Sequence, residues 1–213
     1  MIDGSTFSNL YEYCNQMSNI DNTILYNLYR ETHLKTLAPR MASGPVQGRF
    51  LSLISTLKSP KHILEIGTFT GYATICLAEG LASNGHITTI EINPELAYIS
   101  DKYFKLANIR AQVTSINGNA LKKIPALTDK FDIVFIDAKK TDYSAYFELV
   151  IDKTNTGGLI IADNVLWDGK VLENSQKPTT IALQKFNQKV KQDPRVSTLL
   201  LPLRDGLTIL RKL

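Results

Sequence analysis

From residue 61 onward the apolar positions fall into short runs rich in Val, Ile and Phe, each followed by a segment whose apolar residues recur at helical spacing. Alternation of that kind builds a parallel sheet with helices packed on both faces. It predicts strands at 61–66, 86–92, 111–116, 131–137 and 158–162. Ala73, Cys76, Leu77 and Leu81 share one helical stripe, and Tyr143, Tyr146, Phe147 and Val150 share another, so both stripes should face the sheet. Pro94 after Asn93 reads as a first helical position behind a cap, which turns the second strand directly into a helix.

The two ends of the chain depart from this rhythm. RVSTLLLPLRDGLTILRKL contains two β-like runs around Arg204, Asp205 and Gly206, the mark of an antiparallel hairpin closing an otherwise parallel sheet. Before residue 60, YEYCNQMSNIDNTILYNLYRETHLK and GPVQGRFLSLISTLKS predict helices outside the repeating unit, suited to a lid or a subunit contact. The expected organisation is a single domain over 1–213, with N-terminal helices in 1–58 and an α/β core in 59–213.

Composition narrows this only modestly. The 213 residues, 44% of them apolar, suffice for one sizeable core. No run approaches the roughly 20 apolar residues of a spanning helix, and the first residues lack the basic-then-apolar pattern of a leader, so the expected location is the cytoplasm and no membrane partner is expected. Cys14 and Cys76 are too few for a disulfide framework or a zinc site. With 24 basic and 20 acidic residues the net charge of +4 permits an anionic substrate without demanding a nucleic acid.

The chemistry begins in ILEIGTFTGYATICLAEGL, residues 63–81. A ligand of an open α/β sheet lies at the carboxyl ends of the strands, and Gly67 and Gly71 let the first turn approach it closely. Their spacing is not that of the dinucleotide fingerprint, and Glu65 beside the turn would repel a pyrophosphate. Glu91 closes the second strand, where a carboxylate accepts the hydroxyls of a ribose. An adenosine carrying a positive group and no phosphate satisfies both acids, and S-adenosylmethionine is such a molecule.

A second constellation lies at the next strand ends. FDIVFIDAKKTDY ends a strand at Asp137, and GGLIIADNVLWDGK ends another at Asp163 and Asn164. Two carboxylates and an amide oxygen, without sulfur or imidazole, suit a hard divalent cation such as magnesium, manganese or calcium, and leave about three octahedral positions open. Two adjacent acceptor oxygens and a water would fill them. His33, His62 and His86 are scattered and are not assigned to the metal.

These segments, with IEINPELA and the closing DGLTILRKL, resemble the cation-dependent class I O-methyltransferases, the group of catechol and caffeoyl-CoA O-methyltransferases and their small bacterial relatives. The resemblance spans roughly 40–213. It implies a Rossmann-like class I methyltransferase fold, a seven-stranded, mostly parallel sheet with an antiparallel last strand and helices on both faces, and usually a homodimer. It sets Glu65, Gly67 and Tyr72 around the methionine part of S-adenosylmethionine, Glu91 on the ribose and Ala120 near the adenine. It sets Met41 and Ser43 at the cofactor or substrate entrance. Asp137, Asp163 and Asn164 match the metal ligands, with Asp137 also bordering the cofactor and the reacting atoms, and Lys140 matches the catalytic lysine. Asn119, where relatives often carry an acid, departs from the pattern.

The implied activity is methyl transfer to one hydroxyl of a vicinal aromatic diol, with Lys140 taking the proton and its pKa pulled down by the neighbouring dication. Trp167 is either a wall for the ring or plain packing, and Tyr143 fits the core stripe. One alternative is a tRNA hydroxyuridine O-methyltransferase reading nucleic acid through Lys139, Lys170, Lys177, Arg195 and Arg204; another is a non-catalytic S-adenosylmethionine-binding module.

Overall fold

The computed structural model describes residues 4–19 and 22–213. Its seven strands are β1 (His62–Ile66), β2 (His86–Glu91), β3 (Val113–Asn117), β4 (Phe131–Ile136), β5 (Thr154–Asp163), β6 (Val196–Leu201) and β7 (Leu207–Lys212). They form one sheet in the order β3-β2-β1-β4-β5-β7-β6. All neighbours from β3 to β5 pair in parallel, and β7 alone runs against both of its partners. The expected sheet is therefore present. The chain moves outward from β1 through β2 to β3, then returns to add β4 on the other side, so the order reverses between β1 and β4 and a ligand crevice opens there.

Both faces of the central strands are apolar. Leu64, Ile66, Val134, Ile136, Ile160 and Ala162 pack into one buried cluster with α7 (Tyr143–Ile151) and α8 (Pro178–Gln192). Ile63, Ile133, Phe135 and Ile161 pack into another with α4 (Tyr72–Ala78) and α5 (Ala97–Leu106). The predicted stripes at 73–77 and 143–150 are buried in these clusters, and Leu81 packs at the margin. Asn93 caps the turn before α5 by accepting from Glu95 N–H at 2.9 Å.

Three boundaries shift for local reasons. The third strand starts at Val113, because Arg110–Gln112 wind into a 3-10 turn. The fifth starts at Thr154, four residues early, passing through Gly157 at φ 74° and a register shift opposite Phe131 and Ile133. The first N-terminal segment divides into α1 (Gly4–Met17) and α2 (Thr23–Lys35), since Asn22 accepts from Ile24 N–H and Leu25 N–H and so opens a new helix; residues 20 and 21 lie outside the described residues. The second forms α3 (Pro45–Lys58), with Pro45 at its first turn. No described helix is long and apolar enough to cross a membrane.

Candidate active site

The carboxyl ends of β1, β4 and β5 meet closely. Gly67 N–H donates to Ile90 O at 2.9 Å and Asp137 N–H to Ile66 O at 2.8 Å, carrying the ladder one residue past each strand. Gly67 sits at φ 100°, and a Cβ there would come within 1.9 Å of the Asp137 carbonyl oxygen. Only glycine satisfies both the dihedral and the approach. The turn that should face the cofactor thus rests directly on the residue that should face the metal.

On the β2 side, the Glu91 carboxylate accepts from Phe69 N–H and from Asn93 N–H, both at 2.8 Å. It braces the glycine turn and keeps lone-pair capacity on each oxygen for another donor. Phe69, held at φ 49°, is a contributor that sequence reading missed, since a backbone N–H leaves no residue signature.

Glu65 is fully buried beneath the turn, where Thr74 and Thr89 each donate a hydroxyl to its Oε2 at 2.5 Å. Burial pushes its pKa up to about 8, the two threonines oppose the rise, and the charges of Asp137 and Glu91 add to it. Burial thus favours the protonated acid in the ligand-free enzyme, where the sequence alone implied an anion beside the turn. Its Oε1 has no hydrogen-bond partner, a buried polar atom that a cofactor amine or a water would satisfy.

Tyr72 is buried with its ring 6.1 Å from that of Tyr29 in a near-perpendicular pair, and a Cβ on Gly48 would collide with it. Ala120 is buried at the start of α6 (Ala120–Lys123). Asn119 caps that helix by accepting from Leu121 N–H at 2.9 Å, so the departure from an acid preserves a structural role that either side chain performs.

The β4–β5 side gathers charge. Lys140 Nζ lies 2.7 Å from Asp137 Oδ1, with both side chains mostly shielded, 12% and 17% exposed. Burial lowers the pKa of Lys140, but Asp137 outweighs it and the net shift is upward. The downward shift expected beside a dication belongs to the cation-loaded site; with the carboxylate alone facing Lys140, the shift is upward.

Asp163 is buried, accepting from Gln47 Nε2 at 2.6 Å and from Asn164 N–H at 2.7 Å. Burial first, and the charge of Asp137 second, push its pKa up to about 7. Tyr143, a core residue as its stripe implied, also donates to Asp163 O at 2.9 Å and to Ile136 O at 3.3 Å, tying the two strand ends together. Gln47 was legible in principle, since it stands four residues before Leu51 on the buried face of α3.

Among the described residues no three His, Cys, Asp or Glu gather around one point. A metal would rest on Asp137, Asp163 and the amide of Asn164. The donors fit a hard cation: two carboxylates share a shielded site, and the charge of Asp137 adds to the cost of ionising Asp163. His62 and His86 begin their strands at the opposite sheet edge, and His33 lies on α2 bonded to Tyr29 O, all away from this site.

A cavity of about 480 Å3 opens over this site, bordered by Met41, Asp137, Lys140, Asn164, Trp167 and Arg204. An adjoining cavity of about 1170 Å3 reaches Tyr11 of α1, Ser43, Leu172 and Arg204. The structure therefore brings Met41, Ser43, Asp137, Asn164 and Lys140 to one opening. Glu65, Tyr72 and Ala120 line neither of these two cavities.

The sheet order and the crevice define a Rossmann-like methyltransferase. The fold superposes on an O-methyltransferase from Bacillus cereus in complex with SAH (TM-score 0.90, 30% identity, all of both chains). It also superposes on an SAH-bound methyltransferase from Podospora anserina (TM-score 0.91, 28% identity, 100% of this chain and 97% of that one). The O-methyltransferase family profile matches residues 15–213, and a catechol O-methyltransferase of Niastella koreensis is 38% identical over 168 residues, 76% of each chain. The chain belongs to the O-methyltransferase family, enzymes that take their methyl group from S-adenosylmethionine.

Proposed function

We propose that this enzyme methylates one hydroxyl of a vicinal aromatic diol with the help of a divalent cation. The observation that carries the reading is that Asp137, Asn164 and Lys140 line one cavity, with Asp163 buried beside them and bonded to the Asn164 N–H, directly across Gly67 from the glycine turn. The sulfonium of S-adenosylmethionine is already an activated donor, so the protein's work is to align the acceptor and remove its proton. Glu91 accepts the ribose hydroxyls with the capacity left beyond its two backbone bonds. Glu65 and its threonines keep the turn seated, and Oε1, open in the ligand-free enzyme, would accept from the cofactor's amino group once the positive charge of that ligand draws off the proton.

Asp137, Asp163 and Asn164 would hold the cation, which when bound supplies Lewis acidity at the acceptor oxygens. Gln47 and the Asn164 N–H fix the Asp163 carboxylate for that task. With Asp137 engaged by the cation, Lys140 would lose the partner that keeps it charged and Nζ would be free to receive the acceptor's proton, and Trp167 walls the ring. The N-terminal region exposes Tyr26, Leu34, Leu53 and Leu57, which supports its reading as a contact between two copies in a cytoplasmic homodimer.

The nucleic-acid alternative draws less support. Arg195 precedes β6 at the edge of the sheet away from the cavity, locked to Asp193 and Glu148 at 2.6 and 3.0 Å, so the five basic residues do not line up as one strip.

Methyl transfer from labelled S-adenosylmethionine to catechols, phenolic acyl-CoA esters and undermodified tRNA tests the reading. The diols should take the label, chelation should abolish transfer, and magnesium or manganese should restore it. Full activity in metal-free buffer would remove the cation from the reaction, and label confined to tRNA would replace the acceptor class.

A further inference from the structure

The glycine turn between Gly67 and Gly71 is fastened on several sides. Beneath it Thr68 Oγ1 meets Thr89 Oγ1 at 2.5 Å, and Thr89 continues to Glu65. Toward β2, Phe69 N–H donates to Glu91 at 2.8 Å, and Gly67 rests on the Asp137 carbonyl at the end of β4. All of these partners belong to the sheet or its ends. Thr70 is fastened elsewhere. Its side chain is fully buried, and its Oγ1 lies 2.9 Å from Oγ1 of Thr32, a fully buried residue of α2 that precedes it by 38 positions. Among the described residues Thr32 is the only side chain that Thr70 bonds.

The surroundings hold α2 at this point. Thr32 Oγ1 is also 2.8 Å from Leu28 O in the preceding helical turn, so the two hydroxyl protons serve two bonds and neither group is left over. Glu31, one residue earlier, accepts from Lys102 Nζ at 2.6 Å and from Tyr103 Oη at 2.8 Å, which ties α2 to α5. Tyr29 packs edge-on against Tyr72 at the start of α4, and Leu25 and Leu28 enter the same buried cluster as α4 and α5. Two apolar side chains would fill the space between Thr32 and Thr70 without the cost of burying hydroxyls. Packing alone therefore gives no use for this pair, whereas a directional bond fixes the turn relative to the helix.

We infer that Thr32 is a positioning residue for the methyl donor: through Thr70 it sets the Phe69 to Gly71 segment against S-adenosylmethionine, and so couples the N-terminal helix α2 to the cofactor site. This rests on the cofactor placement proposed above and extends it beyond the sheet. Such coupling is reciprocal. A seated α2 favours the cofactor, and bound cofactor holds α2 in its seat. The N-terminal helices then take part in donor binding, a role separate from the subunit contact.

Titration calorimetry with S-adenosylhomocysteine tests the bond. Thr32→Val keeps the shape and removes the hydroxyl, and should weaken binding by about three- to tenfold, up to the worth of one neutral hydrogen bond. Thr32→Ser restores the hydroxyl and should bind within about twofold of wild type. In methyl transfer the KM for S-adenosylmethionine should rise with the loss in Thr32→Val, while kcat at saturating donor changes little. Thr70→Val should cost about as much as Thr32→Val, and the double variant no more than either alone, because both substitutions break one bond. Additive losses, or wild-type affinity in Thr32→Val, overturn the inference.

Hydrogen exchange of the unaltered enzyme adds a measurement that does not depend on the folding of a variant. S-adenosylhomocysteine should slow amide exchange in α2 around Thr32 as well as in the glycine turn. Protection confined to the turn overturns the inference. In Thr32→Val the protection of α2 should fall while that of the turn persists; equal protection of α2 in both proteins overturns the route through Thr32. Glu91→Ala, measured beside these variants, keeps the two readings apart: unchanged affinity there would overturn the placement of the cofactor at the turn, and weakened affinity there with wild-type affinity in Thr32→Val would overturn the role of Thr32 alone.

Discussion

The two halves of the crevice handle their acids in opposite ways. On the β1–β2 side the protein's own groups hold the acids, backbone N–H for Glu91 and threonine hydroxyls for Glu65 Oε2, leaving only Glu65 Oε1 open. On the β4–β5 side Asp137 faces a lysine and Asp163 has its pKa raised toward neutrality. The first half is nearly complete before any ligand arrives. In the second the charges are balanced only within the protein, and the proposed cation would exchange their partners. Preorganisation thus belongs to the part of the reaction that never changes, the donor, while the acceptor side keeps the groups that must exchange partners.

If that contrast holds, substitutions on the acceptor side should strike turnover and those on the donor side should strike affinity or stability. The largest effect is expected from Lys140→Met. Loss of a general base costs roughly 100- to 10,000-fold in rate, so the turnover number should fall in that range while calorimetry finds S-adenosylmethionine binding nearly intact. Alkaline pH should restore part of the rate, and Lys139→Met, whose side chain is 73% exposed, should cost less than about tenfold. Wild-type turnover in Lys140→Met at neutral pH would erase the division.

Next comes the buried acid of the donor side. The folded-state pKa of Glu65, about 8, lies above its ordinary value of 4.5. Between those values the folded protein keeps a proton that the unfolded chain releases, so this contribution is full below about pH 4.5 and is lost as pH rises to about 8. Urea unfolding of the ligand-free enzyme should show a stability decline with pH across this window. Glu65→Gln should remove roughly 3 to 5 kcal/mol of that decline, leaving the comparable part due to Asp163. An identical pH slope in both proteins would mean that Glu65 is ionised in the fold.

The smallest effect sharpens the donor side further. Glu91→Ala should weaken S-adenosylmethionine binding by about 1.5 to 3 kcal/mol, the range for hydrogen bonds to a charged group, with little change in turnover at saturation. A variant that instead loses turnover at saturating cofactor would show that the brace on Phe69 N–H also sets the methyl's alignment.

The same division governs what could be read from the sequence. Strand and helix periodicity, the glycine pair of the first turn and the acids closing β2, β4 and β5 are local patterns, and the sheet order brings them together as expected. Gln47 and Phe69 were missed, for different reasons. Gln47 reaches Asp163 across 116 positions of sequence, and Phe69 acts through its backbone. The protonation of Glu65 and the pairing of Lys140 with Asp137 depend on burial and proximity that no linear pattern states. Asn119 looked like a departure until its side chain was found capping α6.

The contact of Gly67 with the Asp137 carbonyl has a consequence for how this enzyme can change over time. Donor turn and acceptor-side acid are joined backbone to backbone, with no side chain between them to drift by mutation. The reacting line is therefore carried by the sheet itself. The walls around it come from α1, the loop after β5 and the β6–β7 turn, and can be rewritten piece by piece. New acceptors could then be acquired, by evolution or by design, through the replacement of those walls alone, with the alignment of donor and base inherited unaltered.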